Sequence, residues 1–389
     1  MKIIPYGRQF IDKQDNKIVL SSLKEDLITT GKYVEKFERN ISDLLKSKYA
    51  ISCSSGTSAL HLSLMSIQLK KNDTIIMPAI NFIASYNLSR FIGARIFLAD
   101  VDKYTGQMTP KTLLECINKN KIKKIKAIVV MYMGGYPENV IEFYKIKKKF
   151  RCYLIEDACH GLGAEYTYKR KNFYIGSCSH SDIAAFSLHP VKTITTGEGG
   201  IVTTNNKLLA ERIKSLRSHG IVRKKNTHWQ YDVLEPGFNY RLSDINAALG
   251  VSQLKKIKTF IKKRKLIFDF YYKKLSGISE VTLPNYSLEN KPSYHLFLIS
   301  INNNNNRIKN KLLIFLKKNK ITAQYHYIPI YKFSLYLKKK SEYYKNSEYY
   351  FNNTISLPIY FNLSLSQCNF IFSKLSIFFK NKIRIKKYS

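Results

Sequence analysis

From about residue 50 to residue 205 the chain repeats one pattern. Short apolar, β-branched runs alternate with longer segments whose apolar residues return at helical spacing. This is the pattern of a parallel α/β sheet. It predicts strands over 74–79, 94–100, 127–133, 152–157, 182–188 and 200–204, with helices over 111–120 and 139–150 among the segments between them. After Asn246 the texture changes to one long apolar and basic helix over 246–275, followed by a stretch containing Gly277, Pro284 and Pro292. That change marks passage into a second unit, with strands over 294–301 and 322–329, a helix over 307–318 and a last helix near 366–379. The expected division is an N-terminal arm and large domain over 1–250 and a small C-terminal domain over 251–389. The asparagine run 302–306 reads as an exposed loop.

Composition narrows the function classes. With 389 residues, 44% of them apolar, the chain can bury at least one large core. Its 65 Lys and Arg against 27 Asp and Glu give a net charge of +38, which raises nucleic acid or an anionic membrane as partner. The cations are dispersed, however, through "KIKKIK" (121–126), "KIKKKF" (145–150) and "KKIKTFIKKRK" (255–265), as on solvated helix faces. No nucleic-acid or membrane partner is therefore expected, and a basic nucleic-acid-binding or regulatory protein stands as the alternative from another class. The six cysteines form no CxxC pair, so reduced thiols, no metal site and a cytoplasmic location are expected. No apolar run approaches the roughly 18 residues that span a bilayer.

Three segments carry candidate chemistry. In "SSGTSALHLSLMSI" (54–67), small and hydroxyl residues precede an apolar helical stretch. Backbone N–H groups near Gly56 and Thr57 either face an anion there or simply begin a capped helix. In "LIEDACHGLGAEY" (154–166), two carboxylates end a hydrophobic strand. Adjacent strand residues face opposite sides, so one of Glu156 and Asp157 can meet a site while the other meets structure. Asp157 suits a pairing with a ring nitrogen, or a helix N-cap. In residues 182–205, Lys192 follows a strand by a few positions and precedes Gly197, Gly199 and Gly200. Alone it reads as a loop lysine; desolvated, it is a nucleophile toward an aldehyde. Glu198 has no legible role. An anion-binding helix start, an acid after a mid-chain strand and a lysine before a glycine-rich turn are together what pyridoxal phosphate asks of a protein.

The segments "SGTSALHLSL", "IEDACHGLGAEY", "FSLHPVKTITTGEGG", "LRSHGI", "GFNYRLSDINAALGVSQL" and "YHYIPIY" follow, in order and spacing, those of one family. The chain resembles the DegT/DnrJ/EryC1/StrS sugar-nucleotide aminotransferases over nearly its whole length. The resemblance implies the fold type I architecture of pyridoxal phosphate (PLP) enzymes, like aspartate aminotransferase. That is a large α/β domain with a mostly parallel central sheet plus a smaller C-terminal α+β domain. It implies an internal aldimine on Lys192, Asp157 on the pyridine nitrogen, and Gly56, Thr57 and Ser187 on the phosphate. Phe82 would stack on the ring, with Cys159 near its other side and His160 in support. Asn239 would reach the cofactor of a neighbouring subunit, giving a homodimer with shared active sites. Tyr6, His326 and Tyr327 are candidate sugar-nucleotide contacts; His326 reads equally as a packed strand histidine. The opening "IPYGRQFIDKQD" points to the pseudaminic acid branch, in which L-glutamate supplies an amino group to C4 of a UDP-linked 4-keto-6-deoxy-N-acetyl-hexosamine. A different nucleotide 3- or 4-keto sugar is the alternative within the family. Asn81 departs from the usual Thr of the family, and Cys159 and Gly161 from its common Ala.

Overall fold

The structure, a computed structural model, describes residues 2–224, 227–302, 306–336 and 344–386. Its strands are β1 (Tyr49–Cys53), β2 (Thr74–Pro78), β3 (Arg95–Ala99), β4 (Ala127–Met131), β5 (Tyr153–Asp157), β6 (Glu165–Tyr168), β7 (Lys171–Tyr174), β8 (Ile183–Ser187), β9 (Gly200–Thr204), β10 (Ile221–Lys224), β11 (Thr227–Val233), β12 (Val281–Thr282), β13 (Phe297–Ile301) and β14 (Thr354–Leu357). Its α-helices are α1 (Lys13–Ser22), α2 (Lys32–Leu45), α3 (Gly56–Ser66), α4 (Ala84–Ile92), α5 (Pro110–Lys119), α6 (Val140–Phe150), α7 (Lys207–Leu216), α8 (Asp244–Lys255), α9 (Ile257–Leu275), α10 (Asn306–Lys318), α11 (Lys345–Asn353) and α12 (Leu365–Lys386).

Seven strands form one sheet in the order β1-β9-β8-β5-β4-β2-β3, parallel except for β9, which runs against both of its neighbours. Alternate residues feed two apolar layers. Ile75, Met77, Val129 and Ile155 face a cluster with α3 and α7; Ile76, Ile128, Val130 and Leu154 face one with α2, α5, α6 and α8. Both faces are covered, which is why these strands read as unbroken apolar runs. A second, three-stranded antiparallel sheet, β12-β13-β14, packs its Phe297, Ile299 and Ile355 with residues of α9, α10 and α12.

The six expected strands of the large sheet are present, joined by β1 at its edge. Two expectations are overturned. The single helix over 246–275 is two, because the helical run breaks at Lys256 between α8 and α9. Residues 322–329 form no strand, only an isolated bridge between Gln324 and Ser356; the third strand of the small sheet is β14 instead. The segment "TAQYHYIP" is irregular, with one bend at His326, and makes no ladder. Of the asparagine run, Asn303–Asn305 lie outside the described residues.

Helix α8 organises the region around Lys192. Asp244, fully buried at its first position, accepts from the N–H groups of Gly31 (2.7 Å), Tyr33 (2.8 Å) and Val34 (3.2 Å). It thereby caps α2, whose own N-cap Gly31 has no side chain to do so. Gly250 lets α8 come close: a Cβ there would meet Phe37 of α2 at 2.7 Å and Thr196 at 2.9 Å. The Asn246 amide donates to the Thr196 carbonyl, tying the helix to the β8–β9 connection. Replacing Asp244 by Ala leaves three buried N–H groups unmet. It should cost about 1–3 kcal/mol in urea unfolding, with Asp244→Asn recovering part of the loss.

Glu156 faces away from the cavity described below. Its carboxylate accepts from the Gly176 N–H (3.0 Å) and the Tyr132 hydroxyl (3.2 Å), and burial pushes it up from 4.5 to about 7. The folded protein therefore holds a proton that the unfolded chain releases, so stability falls as pH rises from about 4.5 to about 7. Glu156→Gln, neutral throughout, should gain on the parent by about 2–3 kcal/mol between pH 5 and pH 8. A difference in unfolding free energy that stays constant over that range would contradict this.

Candidate active site

The C-terminal ends of the parallel strands meet at one edge of the large sheet, where open α/β sheets hold ligands. A cavity of about 520 Å³ lies there. Its walls come from the segment after β1 (Ser55, Gly56, Thr57), the segment after β2 (Phe82), the end of β5 (Asp157, Cys159, His160) and the β8–β9 connection (Ser187, Lys192, Glu198). Tyr6 reaches it because Ile4 pairs with the backbone of Lys320 and Thr322, and the Tyr6 carbonyl accepts from the Ile359 N–H. His326 and Tyr327 arrive from the bridge between Gln324 and Ser356. All the expected site residues line this cavity except Asn239. Asn239 is exposed and bridges Ser218 next to the β10–β11 hairpin.

The β8–β9 connection is a tied loop. The Leu188 carbonyl accepts from the Thr195 hydroxyl (2.9 Å) and the Thr196 N–H (3.1 Å), and the Thr196 hydroxyl donates to the Glu198 carbonyl (2.7 Å). The threonines of "KTITTGEGG" thus bond the loop to itself and leave Lys192 half-buried at the cavity. Burial lowers the pKa of the Lys192 amine, opposed by Cys159 and Asp157. Asp157 is 2% exposed, and burial raises its pKa, opposed by donors including the Cys159 N–H and by Lys192. Its hydrogen bonds are long, 3.4 Å from the Cys159 N–H and 3.5 Å from the Ser85 hydroxyl. Such a carboxylate is suited to a stronger cationic donor.

At the start of α3, Ser55 caps the helix by accepting from the Ser58 N–H (3.0 Å). The N–H groups of Gly56 and Thr57 open the first turn and have no acceptor within the helix. A Cβ on Gly56 would sit 2.7 Å from that of Ser187, so only glycine permits this approach of helix start to strand end. Two N–H groups and two hydroxyls thereby converge where an anion can lie.

The opposite wall has a defined hydrogen-bond polarity. The Gly134 N–H donates to His160 Nδ1 (3.3 Å), so in the neutral ring Nε2 carries the hydrogen and donates to the Tyr327 hydroxyl (2.9 Å). Burial and the nearby Lys192 hold His160 well below its ordinary pKa, which keeps it neutral. Tyr327, having accepted from His160, keeps its own hydrogen for the cavity. The Ser356 hydroxyl donates to the Gln324 carbonyl (3.0 Å) and accepts from His326 Nδ1 (2.6 Å), leaving His326 Nε2 as an acceptor. Burial depresses His326 to about 3, so that nitrogen stays unprotonated. His326 therefore does both things its sequence allowed: it is packed, and it lines the site. Phe82 is 53% exposed, an apolar ring face left open to the cavity, with its edge 5.7 Å from Tyr327 between centroids.

His295 and Glu198 are among the cavity residues that the sequence reading left without a role. His295, whose ring centre is 4.3 Å from that of His160, sits within an apolar strand run that gives no sign of a site. Glu198 was visible without a role; it lines the cavity as an exposed side chain, and nothing in its surroundings explains its charge.

The profile of the DegT/DnrJ/EryC1/StrS aminotransferase family matches residues 9–376. The chain is 36% identical over 373 residues to the UDP-4-amino-4,6-dideoxy-N-acetyl-beta-L-altrosamine transaminase of Campylobacter jejuni subsp. jejuni serotype O:23/36 (strain 81-176), covering 95% of this chain and 96% of that one. It is 30% identical over 386 residues to the GDP-perosamine synthase of Escherichia coli O157:H7, covering 98% and 100% respectively. Among solved structures, Helicobacter pylori PseC, described as an aminotransferase involved in the biosynthesis of pseudoaminic acid, matches with a TM-score of 0.89. The identity there is 32%, over 98% of this chain and 100% of that one. Fold and sequence agree along nearly the full length, and the chain belongs to the DegT/DnrJ/EryC1/StrS aminotransferase family.

Proposed function

We propose that the protein is a PLP-dependent transaminase that passes an amino group from L-glutamate to C4 of a UDP-linked 4-keto-6-deoxy-N-acetyl-hexosamine, in pseudaminic acid assembly. The observation that carries this reading is the convergence of a desolvated lysine, a weakly bonded buried carboxylate and a helix-start anion cradle on one cavity. These residues fit the cofactor: the cradle suits a phosphate, Asp157 a protonated ring nitrogen, and Lys192 an aldehyde. Bound there, PLP supplies an electron sink for the carbanion that transamination generates.

The chain's own groups account for the rest. Lys192 would be the covalent attachment point, and its free amine would hold and move a proton at the substrate carbon, a positioned transfer of the kind that contributes about 10²–10⁴-fold. Its lowered pKa leaves more of the amine uncharged and nucleophilic near neutral pH. Asp157 would hold a proton on the ring nitrogen, and Gly56, Thr57 and Ser187 would hold the phosphate. Phe82 and Cys159 would flank the ring, with His160 fixing the polarity of Tyr327. Tyr6, His326 and Tyr327 are proposed for the sugar nucleotide: Tyr327 can donate to a sugar oxygen and His326 Nε2 can accept from a hydroxyl.

A second copy completes the site in this reading. Trp229, Tyr231, Val233 and Leu234, on and just after β11, are exposed apolar side chains, and Asn239 follows them. A homodimer that covers this surface and delivers Asn239 to the partner's cofactor phosphate explains both. The free cysteines favour a reducing, cytoplasmic setting. Among the described residues no helix is long and apolar enough to cross a membrane.

Incubation with PLP, L-glutamate and a panel of UDP- and GDP-linked keto sugars, followed by 2-oxoglutarate and product mass, tests the substrate. Turnover confined to a GDP sugar would move the assignment within the family. Borohydride reduction and peptide mapping should locate the cofactor on Lys192. Lys192→Ala should lose that adduct, the yellow colour and at least about 10²–10⁴-fold in rate; full colour and turnover would sink the reading. Mixing inactive Lys192→Ala with inactive Asn239→Ala subunits should restore up to about a quarter of the parental sites, because one site per heterodimer is intact. No recovery after verified subunit exchange would refute the shared site.

A further inference from the structure

Asn81 lies between β2 and α4, one residue before Phe82, and is 1% exposed. Among the described residues neither its amide nitrogen nor its amide oxygen has a hydrogen-bond partner, and no other buried side chain leaves both atoms of one polar group unmet. A buried amide without partners carries its full desolvation penalty, so its retention needs an explanation outside the bonds the protein makes by itself.

Its neighbour supplies one. The Asn81 amide approaches Asp157 closely enough to favour the charged carboxylate, yet forms no hydrogen bond of normal length. Asp157 is likewise under-bonded, with its contacts to the Ser85 hydroxyl at 3.5 Å and the Cys159 N–H at 3.4 Å. Two buried groups with matching needs thus lie close together, the Asp157 carboxylate in the cavity wall and the Asn81 amide donor behind it. The other titratable groups that act on Asp157 or feel its charge are Lys192, Cys159 and Tyr327, which come from three different segments and all line the cavity.

We propose that Asn81 is a positioning residue for Asp157. When a ring nitrogen occupies the cavity, the Asn81 amide closes onto the carboxylate as a donor and fixes its orientation toward that nitrogen. The proposal rests on the cofactor reading given above. The Asn81 amide can donate to the carboxylate and spare its oxygen for a second contact.

Asn81→Leu keeps the size and removes the donor. The cofactor-free variant should match or exceed the parent in Tm, because an unmet amide is replaced by an apolar group of similar shape. Its affinity for PLP, read by equilibrium dialysis and by the visible absorption band, should be at least about tenfold weaker than the parent's at pH 6.5. The gap should narrow as the pH is raised to 8, because burial raises the Asp157 pKa and a donor to its charged form counts for less as the carboxyl ionises unaided. Titration of Lys192 is common to both proteins and cancels in the ratio. Asn81→Thr and Asn81→Val form a second pair of equal shape that differs in the donor alone, and the same pH-dependent gap must separate them. Equal affinity within either pair at both pH values, or a gap that is the same at both, overturns the proposal. If the parent itself fails to bind PLP, the cofactor reading falls; if the parent binds and the pairs do not differ, only the role of Asn81 falls.

Discussion

The site rests on one electrostatic constraint: an acid and an amine are both taken out of water at the same sheet edge. Burial pushes Asp157 and Lys192 each toward its uncharged form, and each pulls the other back toward charge. Among the described residues neither has a close ionic partner that would settle the matter, and the hydrogen bonds of Asp157 to Ser85 and Cys159 are long. A buried acid in that condition costs stability, and it persists where an outside group completes it. The polar groups of the opposite wall are held neutral by the same desolvation, so the cavity offers directed donors and acceptors with little fixed charge.

The scaffold keeps those groups where desolvation acts on them. Threonines bond the Lys192 loop to itself, Asn246 bonds it to α8, and Gly250 lets α8 lie against α2 and Thr196. Glycine at position 56 brings the α3 start against Ser187. Each of these is a backbone or small-residue device, and each fixes one wall relative to another.

How much of this was legible depends on whether the signal was local. Strands covered on both faces announce themselves as unbroken apolar runs, and the six expected ones lie in the large sheet. The alternation of Glu156 and Asp157 could be read from adjacency alone, and Glu156 does turn to Tyr132 and Gly176 while Asp157 lines the cavity. Features made by distant residues were not legible. The break at Lys256 has no proline or glycine to mark it, and residues 322–329 alternate like a strand while forming only one isolated bridge. Asp244 looks like an ordinary helix-opening acid until the far helix it caps is seen. Asn81 was noticed only as a departure from a family pattern; its unmet amide is a fact of three-dimensional burial that no spacing encodes.

The reach of Asp244 across the chain also bears on the order in which the molecule is made. All seven strands of the large sheet lie before residue 205, so a ribosome can release them before α8 exists. The carboxylate that completes α2 and the amide that steadies the Lys192 loop both arrive later, on the same turn of α8. Assembly of the sheet and assembly of its reactive edge are thus separated in time during synthesis, and the second waits on a long-range closure. A nascent chain halted between those points holds a nearly complete scaffold whose lysine loop is still unbraced.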